Sequence, residues 1–274
     1  MLAFFYPCLY TIHLTPYTLH FTPYTIMKQI LWKEFGKQLL MSIGIFFALF
    51  LVLYMVEWLI PSLHGTLLQW HDPAFIVGIP ASIIGVAYVL TIRNPQNYTG
   101  FYGGIAMALL LATQFYLQGN LDLVFLQLAV FIPFMVVSLL RWRNLVGQLQ
   151  PKDQQFVPEW LPRKQLWISL LILLAILVAD YVLATLVIQR NAWGENVFVK
   201  LLGGLMIASS TLANFILIYQ KIDAWVWWAV YALAGMVLYV LIGNIFSFLL
   251  FLVFLLVNGG AGIVWIKMNK QHIK

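Results

Sequence analysis

The chain has 274 residues, of which 63% are hydrophobic and 9% are charged, and its formal net charge is +6. A soluble domain carries charges on roughly a quarter of its residues, so this composition excludes a water-soluble globular protein and indicates an integral membrane protein. The single cysteine, Cys8, excludes an intrachain disulfide and a cysteine metal cluster.

The first 26 residues contain a tandem repeat of seven residues. Tyr10-Thr-Ile-His-Leu-Thr-Pro is followed by Tyr17-Thr-Leu-His-Phe-Thr-Pro, and the prolines disfavour a helix. No basic segment precedes the repeat, as a signal peptide would require. Met27 then opens an amphipathic lead-in. We expect translation to start there and residues 1–26 to be a non-native or disordered extension, which N-terminal sequencing of the native protein would test.

Eight later segments are long and apolar enough to cross the hydrocarbon core, which takes about 20 residues of helix. They cover 38–60, 74–92, 99–117, 121–140, 166–187, 200–219, 225–242 and 245–266. The predicted fold is therefore an all-α integral membrane bundle with eight spans.

Lysine and arginine are distributed unevenly between alternate loops. Of the 15, thirteen fall in the two terminal segments and in the loops near 93, 141–165 and 221, and two fall in 188–200. Cytoplasmic loops carry the excess of basic residues, so this pattern predicts that both termini are cytoplasmic. A wrong number of spans would mix the two groups, so the alternation also supports eight spans.

Two short motifs recur at nearly the same interval. Gln118-Gly119-Asn120 returns as Ile242-Gly243-Asn244, and each is followed by an apolar span that ends near a tryptophan, Trp142 or Trp265. An even number of spans separates equivalent positions, so both copies enter the membrane in the same direction. The sequence predicts two parallel three-helix repeats joined by a linker helix, a 3+1+3 arrangement, with one extra helix in front. This architecture occurs in transporters, and it would also suit a channel or a structural bundle.

These repeats divide the chain into six predicted regions. They are the extension 1–26, the lead-in and extra helix 27–73, the first repeat 74–143, the loop and linker helix 144–199, the second repeat 200–267 and the tail 268–274.

Polar residues are few inside the predicted spans and include Gln114, Gln127, Asn214, Asn258 and Asp180. Polar groups in a membrane face a cavity or one another. The amides therefore either hold helices together or line a site near the midplane, and both interpretations stay open. Asp180, on the linker helix, either couples to protons or hydrogen-bonds a neighbour. The chain has no phosphate-binding loop and no nucleophile–base pair, so we expect neither an ATP-driven pump nor an enzyme.

A cluster of tryptophans, Asp223-Ala-Trp225-Val-Trp-Trp228, opens the seventh span. At about 100° per residue, Trp225 and Trp228 project from one face of a helix, whereas Trp227 points toward lipid or a neighbouring helix. Tryptophan is enriched at membrane interfaces, so an interfacial belt is one interpretation. The other is a stacking platform for a flat ring, with a cation–π contribution of about 0.5–2 kcal/mol if that ring is cationic.

Several stretches resemble the Pnu family of vitamin B transporters, which includes nicotinamide riboside transporters. They are Ser210-Thr-Leu-Ala-Asn214-Phe, Asp223-Ala-Trp225-Val-Trp-Trp228, Leu238-Tyr239 and Asn258-Gly-Gly-Ala-Gly262-Ile-Val-Trp265, with a weaker likeness between Gly85 and Trp142. The likeness covers about residues 74–270. The chain departs from the family at Met135, Ala232 and Phe251, where the family often has Gln, Asp or Asn, and Tyr.

This resemblance implies a fold related to the SWEET sugar transporters and facilitated diffusion of a nucleoside-like vitamin, driven by phosphorylation of the vitamin inside the cell. It implies that Trp225 and Trp228 line the substrate site, with Asn214, Asn258 and Gln127 as polar partners. Gln114 is added from its predicted depth in the membrane.

We therefore predict a nicotinamide riboside uniporter in the bacterial plasma membrane, with no cofactor, metal or nucleic acid partner. A homo-oligomer is left open. Two alternatives remain at this point: a thiamine or deoxynucleoside transporter of the same fold, and a membrane scaffold that transports nothing.

Overall fold

A computed structural model describes residues 21–60, 62, 65–119, 121–148, 157–182, 196–241 and 243–272, and the secondary structure within these ranges is helical apart from one isolated β-bridge between Glu159 and Lys221. The helices are α1 (Phe21–Leu59), α2 (Pro73–Ile92), α3 (Gly100–Leu117), α4 (Leu121–Phe125, a π-helical stretch Leu126–Phe131, and Ile132–Gln148), α5 (Arg163–Val182), α6 (Val197–Ile218), α7 (Asp223–Leu241) and α8 (Ile245–His272).

The described residues contain eight helices that are long and apolar enough to cross a membrane, which confirms the predicted number. The largest difference in bounds concerns α1, which begins at Phe21 rather than near residue 38. The lead-in is rich in Lys, Gln, Glu and Leu, which are good helix formers, so the helix continues through it. Most of the predicted extension, residues 1–20, lies outside the described part of the chain.

Short polar residues and glycines fix where several helices begin. Asp72 and Asn196 each accept a 2.9 Å hydrogen bond from the backbone amide two residues later, and Asn244 accepts one of 2.9 Å from the amide three residues later. These bonds satisfy amides that have no partner inside the helix.

Gly119 and Gly243 have φ of +75° and +74°, which residues with L side chains rarely adopt. The glycines of the two recurring motifs therefore share a left-handed φ, and the amide of each donates to the carbonyl three residues earlier.

The π-helical stretch of α4 comes immediately before Pro133. Proline has no backbone N–H and its ring clashes with the carbonyl four residues earlier, so a regular α-helix cannot continue unchanged. Here the Ile132 amide donates to the carbonyl of Gln127, five residues back. Such wide turns are frequent at functional sites.

The helices form two groups with matching contacts. In the first group α2 packs on α3 and α3 on α4, and in the second α6 packs on α7 and α7 on α8. The groups meet where α4 contacts α6 and where α8 contacts α2. The two remaining helices are also placed alike, because α1 packs on α2 and α5 packs on α6.

The bundle has two ends. We call the end with the connections 93–99, 157–162 and 219–222 the basic face, and the end with the loop 65–72 and the two glycine turns the opposite face. The Thr99 hydroxyl oxygen lies 3.3 Å from the Leu31 carbonyl oxygen, and the Asn269 amide donates to the Pro158 carbonyl at 2.9 Å. The beginning of α1 and the end of α8 therefore both lie at the basic face. That this face is cytoplasmic stays a prediction.

Crossed hydrogen bonds join the two groups near the basic face. The indole N–H of Trp142, on α4, donates to the Leu217 carbonyl of α6 at 3.3 Å. The indole N–H of Trp265, on α8, donates to the Arg93 carbonyl after α2 at 2.8 Å. Both indoles are fully buried, and their ring centroids are 6.0 Å apart. Each helix group thus contributes a tryptophan that hydrogen-bonds to a backbone carbonyl of the other group.

Candidate functional site

A cavity of about 220 Å³ lies between the two helix groups. Its described lining comes from α2, α3, α4, α6, α7 and α8, and neither α1 nor α5 contributes to that set. The lining continues to the opposite face, where Gln69, Gln118 and Asn244 take part in it. A single water needs roughly 10–15 Å³, so the cavity has room for a small organic molecule.

Three of the amide side chains that line this cavity, those of Gln114, Gln127 and Asn258, were predicted from sequence. Gln127 and Asn258 are 4% and 1% exposed, and the side-chain oxygen of each has no hydrogen-bond partner among the described residues. Gln114 packs on Gly78 of α2, where an added methyl group would lie 2.8 Å from its Nε2 atom. The cavity therefore offers buried acceptors from α4 and α8 and a third amide from α3.

Aromatic rings of α7 and α8 form another part of the lining. Trp228 meets Tyr231 edge to face, with ring centroids 5.4 Å apart and an interplanar angle of 85°. Phe251 lies 5.2 Å from Tyr231 and 5.3 Å from Tyr239, measured between ring centroids. All four residues line the cavity. Trp228 is buried, at 9% exposure, and it is one of the cavity-lining residues.

Trp225 lies outside the cavity lining, although it shares a helix face with Trp228. It is 3% exposed, and its ring meets Trp265 at 86° with centroids 5.2 Å apart. Three residues of helix correspond to a rise of about 4.5 Å, which places Trp225 closer to the basic face, where Trp265 covers it. Trp227 is also buried, at 9% exposure, so it contacts neighbouring helices rather than lipid.

Asn214 also lies behind the lining. It is 1% exposed, and its Nδ2 donates to the Ser210 carbonyl one helical turn earlier at 2.9 Å. Ser210 itself lines the cavity. Four of the six predicted site residues therefore share the cavity, and direct contact of Trp225 and Asn214 with a substrate stays a prediction.

Two carboxylates shape the rim of the cavity at the opposite face. Glu57 is 8% exposed and accepts hydrogen bonds of 2.8 and 2.9 Å from the amides of Leu67 and Leu68, which holds the α1–α2 loop against the bundle. Leu67 and Asp72 belong to the lining. Asp72 is the one charged residue in the described lining, which includes no Lys or Arg.

Asp180 occupies a different environment. It faces α6, where a methyl group added to Gly204 would lie 3.0 Å from its Oδ2 atom. It does not belong to the described lining of the cavity. The structure thus separates this acid from the amides with which it was grouped as an intramembrane polar residue.

Three tyrosines are among the lining residues that the sequence analysis did not assign to the site. Tyr88, Tyr231 and Tyr239 all line the cavity. For Tyr88 a signal exists in the sequence, because small residues at 78, 82 and 85 recur at helical spacing before it and mark one face of α2. Of the three departures from the family, Phe251 lines the cavity, whereas Met135 and Ala232 are buried outside its described lining.

Comparisons with known proteins agree with this architecture. Residues 75–267 match the family described as "Nicotinamide mononucleotide transporter". The fold is similar to that in "Crystal structure of the Vitamin B3 transporter PnuC", with a TM-score of 0.57, 16% sequence identity, and coverage of 89% of this chain and 98% of that chain. No curated protein sequence matches the chain.

At 16% identity the structural likeness supports the fold alone, whereas the family match covers well over half of the chain. The eight apolar helices and the cavity between two helix groups fit that family. The chain therefore belongs to the nicotinamide mononucleotide transporter family and is a multi-pass membrane transporter.

Proposed function

We propose that the protein carries nicotinamide riboside across the membrane by facilitated diffusion. The observation that carries this proposal is the composition of the cavity, which combines the Trp228 indole with unpaired amide oxygens of Gln127 and Asn258. A cationic pyridinium ring stacked on an indole gains about 0.5–2 kcal/mol of cation–π energy. The carboxamide and the ribose hydroxyls supply donors for the amide oxygens. The matched family and the vitamin B3 named for the similar structure support the same class of cargo.

Four predicted residues form the proposed substrate site: Trp228 supplies the stacking surface, and Gln114, Gln127 and Asn258 supply hydrogen bonds. Trp225 and Asn214 lie directly behind this surface, on the same helices as Trp228 and Ser210. In the proposal they reach the substrate only after the helices move, and otherwise hold the lining in place.

The charge of the lining bears on the phosphorylated form of the vitamin. A phosphate group loses its hydration in a buried site, at a cost that a nearby Lys or Arg would offset. The described lining carries Asp72 and no basic residue. We therefore propose that the mononucleotide is excluded, although the family description names it. Phosphorylation inside the cell would then trap the vitamin and drive net uptake without ATP hydrolysis by the transporter.

The finer architecture that we propose is the parallel 3+1+3 repeat related to the SWEET fold, with α1 as the additional helix. Matching contacts within the two groups support it, as do Gly119 and Gly243, which have nearly the same positive φ. The crossed bonds of Trp142 and Trp265 support it further, because each tryptophan donates to the end of the first helix of the other group. In an alternating-access mechanism the two repeats would rock about the cavity, which in this structure extends to the opposite face.

Ligand-dependent thermal stability of the purified protein tests the proposed cargo. A ligand at a hundred times its Kd stabilises the folded state by about 2.7 kcal/mol, or a melting-temperature rise of roughly 5–10 °C for a chain of this size. We expect that rise with nicotinamide riboside and none with the mononucleotide. A rise in melting temperature with thiamine or a deoxynucleoside instead would assign that molecule as the cargo. No rise with any of them would favour the membrane scaffold.

Asp72 gives a charge-specific test of the same proposal. Asn caps a helix as well as Asp, so Asp72→Asn keeps the start of α2 while removing the charge at the rim. The attraction between a carboxylate and a cation across a hydrated rim is on the order of 0.5–1 kcal/mol, so we expect KM for nicotinamide riboside to rise about threefold at low salt. The difference should fade at high ionic strength. The reduced, uncharged form of the riboside is the matched ligand and should show no change; an equal effect on both forms would contradict the charge argument.

A further inference from the structure

Tyr88 is a residue of the cavity lining whose hydroxyl group the sequence analysis did not assign to the site. The residue lies on α2 and is 1% exposed, and its ring belongs to the cavity lining. The hydroxyl oxygen has no hydrogen-bond partner among the described residues. A buried hydroxyl without a partner is unfavourable, and such groups are rare unless a bound molecule or a water completes the bond.

The ring of Tyr88 is held in a fixed position by α3. Its centroid is 5.9 Å from that of Phe101. Beside it lies Gly104, where an added methyl group would be 3.3 Å from Cδ2 and from Cε2 of the tyrosine ring. A larger residue at 104 would therefore displace the ring. A hydroxyl held in this way is preorganised, so little conformational freedom is lost when it binds a partner.

The chemistry of the hydroxyl complements the other unpaired groups of the cavity. The side-chain atoms of Gln127 and Asn258 that lack a partner among the described residues are oxygens, which accept hydrogen bonds. The phenol of Tyr88 can donate one. The three groups belong to α4, α8 and α2, so they surround the cavity from both helix groups. A molecule that carries N–H or O–H donors as well as an oxygen acceptor would form hydrogen bonds with all three groups.

We propose that Tyr88 is a specificity-determining residue whose hydroxyl donates a hydrogen bond to an oxygen atom of the bound vitamin. The inference rests on the proposed function and adds a contact to it. The accepting oxygen belongs either to the carboxamide or to the ribose. A substrate that lacks that oxygen leaves the phenol unpaired in the complex and binds more weakly.

Tyr88→Phe removes the hydroxyl and keeps the ring. We expect it to raise the Kd of nicotinamide riboside about tenfold. Two analogues locate the oxygen: a ribosyl pyridinium without the carboxamide, and N-methylnicotinamide, which lacks the ribose. The wild-type protein should bind the analogue that lacks the accepting oxygen more weakly than it binds the other analogue. Tyr88→Phe should then leave the Kd of that analogue unchanged. Tyr116→Phe is the control, because Tyr116 is 67% exposed on α3 and outside the described lining.

The melting temperature without ligand separates this role from a structural one. Because the phenol is unpaired in the free protein, Tyr88→Phe should leave that temperature unchanged or raise it while reducing the stabilisation by nicotinamide riboside. A lower melting temperature with unchanged ligand stabilisation would show that the hydroxyl has a partner within the protein, and would overturn the inference. So would an equal loss of affinity for the riboside and both analogues. If the wild-type protein binds none of the three, the proposed function fails, and this inference fails with it.

Discussion

Replacing Trp228 with alanine should abolish uptake of nicotinamide riboside at micromolar concentrations while the protein remains folded in the membrane. In the proposed site the indole is the stacking surface, and Trp228 lines the same cavity as Gln127 and Asn258, whose side-chain oxygens are unpaired among the described residues. Aromatic stacking contributes about 0.5–1.5 kcal/mol and a cation–π interaction about 0.5–2 kcal/mol, so their loss together should weaken binding roughly a hundredfold. Uptake of the labelled riboside into proteoliposomes that contain a riboside kinase measures the effect.

Two further variants make this result interpretable. Trp228→Phe keeps a ring with a weaker cation–π interaction, so it should retain part of the uptake. Trp167→Ala is the matched control, because Trp167 is 67% exposed on α5 and lies outside the described cavity lining. Because Trp228 is itself buried, its replacement can reduce folding. Uptake rates are therefore compared only after the amounts of folded variant and wild-type protein in the membrane have been measured. Normal uptake by a folded Trp228→Ala protein would rule out the stacking role.

The second large effect is expected at the crossed tryptophans. Trp142→Ala and Trp265→Ala should each lower the free energy of unfolding by about 3–5 kcal/mol, the usual cost of truncating a buried tryptophan. For a chain of this size that corresponds to a melting temperature lower by roughly 10 °C. Both indoles are fully buried and both hydrogen bonds join the two helix groups, so the two variants should behave alike. Thermal unfolding in detergent measures the loss.

The double variant tests whether the two tryptophans act together. Their ring centroids are 6.0 Å apart, so removing the second should cost less than removing the first. Trp32→Ala is the control, since Trp32 is a partly exposed tryptophan of α1 that stacks on Tyr102 within the first part of the chain. A Trp265→Ala protein that is as stable as wild type would contradict the view that these bonds hold the groups together at the basic face.

The sequence was sufficient for the spans, because crossing a membrane is a property of local composition. A helix in hydrocarbon satisfies its backbone internally and needs only about 20 apolar residues, so each span could be found without knowledge of its neighbours. The glycine turns were also local, since a positive φ favours glycine wherever it occurs. Even the internal repeat could be suspected, because Gly119 and Gly243 precede equivalent spans.

The residues that line the cavity, in contrast, depend on which face of each helix packs against which neighbouring helix. Gln127 lines it from within the π-helical stretch before Pro133, where the residue spacing differs from that of the ideal α-helix used to project a sequence onto helix faces. Trp225 and Trp228 share a helix face, yet Trp265 from α8 covers only the first. In the sequence Tyr88 is one aromatic residue of an apolar span, and only the tertiary structure shows that it lines the same cavity as the amides and that its hydroxyl has no partner among the described residues.

The amino-acid sequence by itself therefore determined the membrane class, the number of spans and the family, all of which follow from hydropathy, turn residues and short motifs. The tertiary structure decided which polar residues meet. In a membrane, apolar side chains satisfy lipid and protein contacts equally well, so the faces of a span that pack on other helices cannot be read from hydrophobicity. Close packing of the two helix groups selected four of the six predicted residues for the cavity and added the hydroxyl of Tyr88.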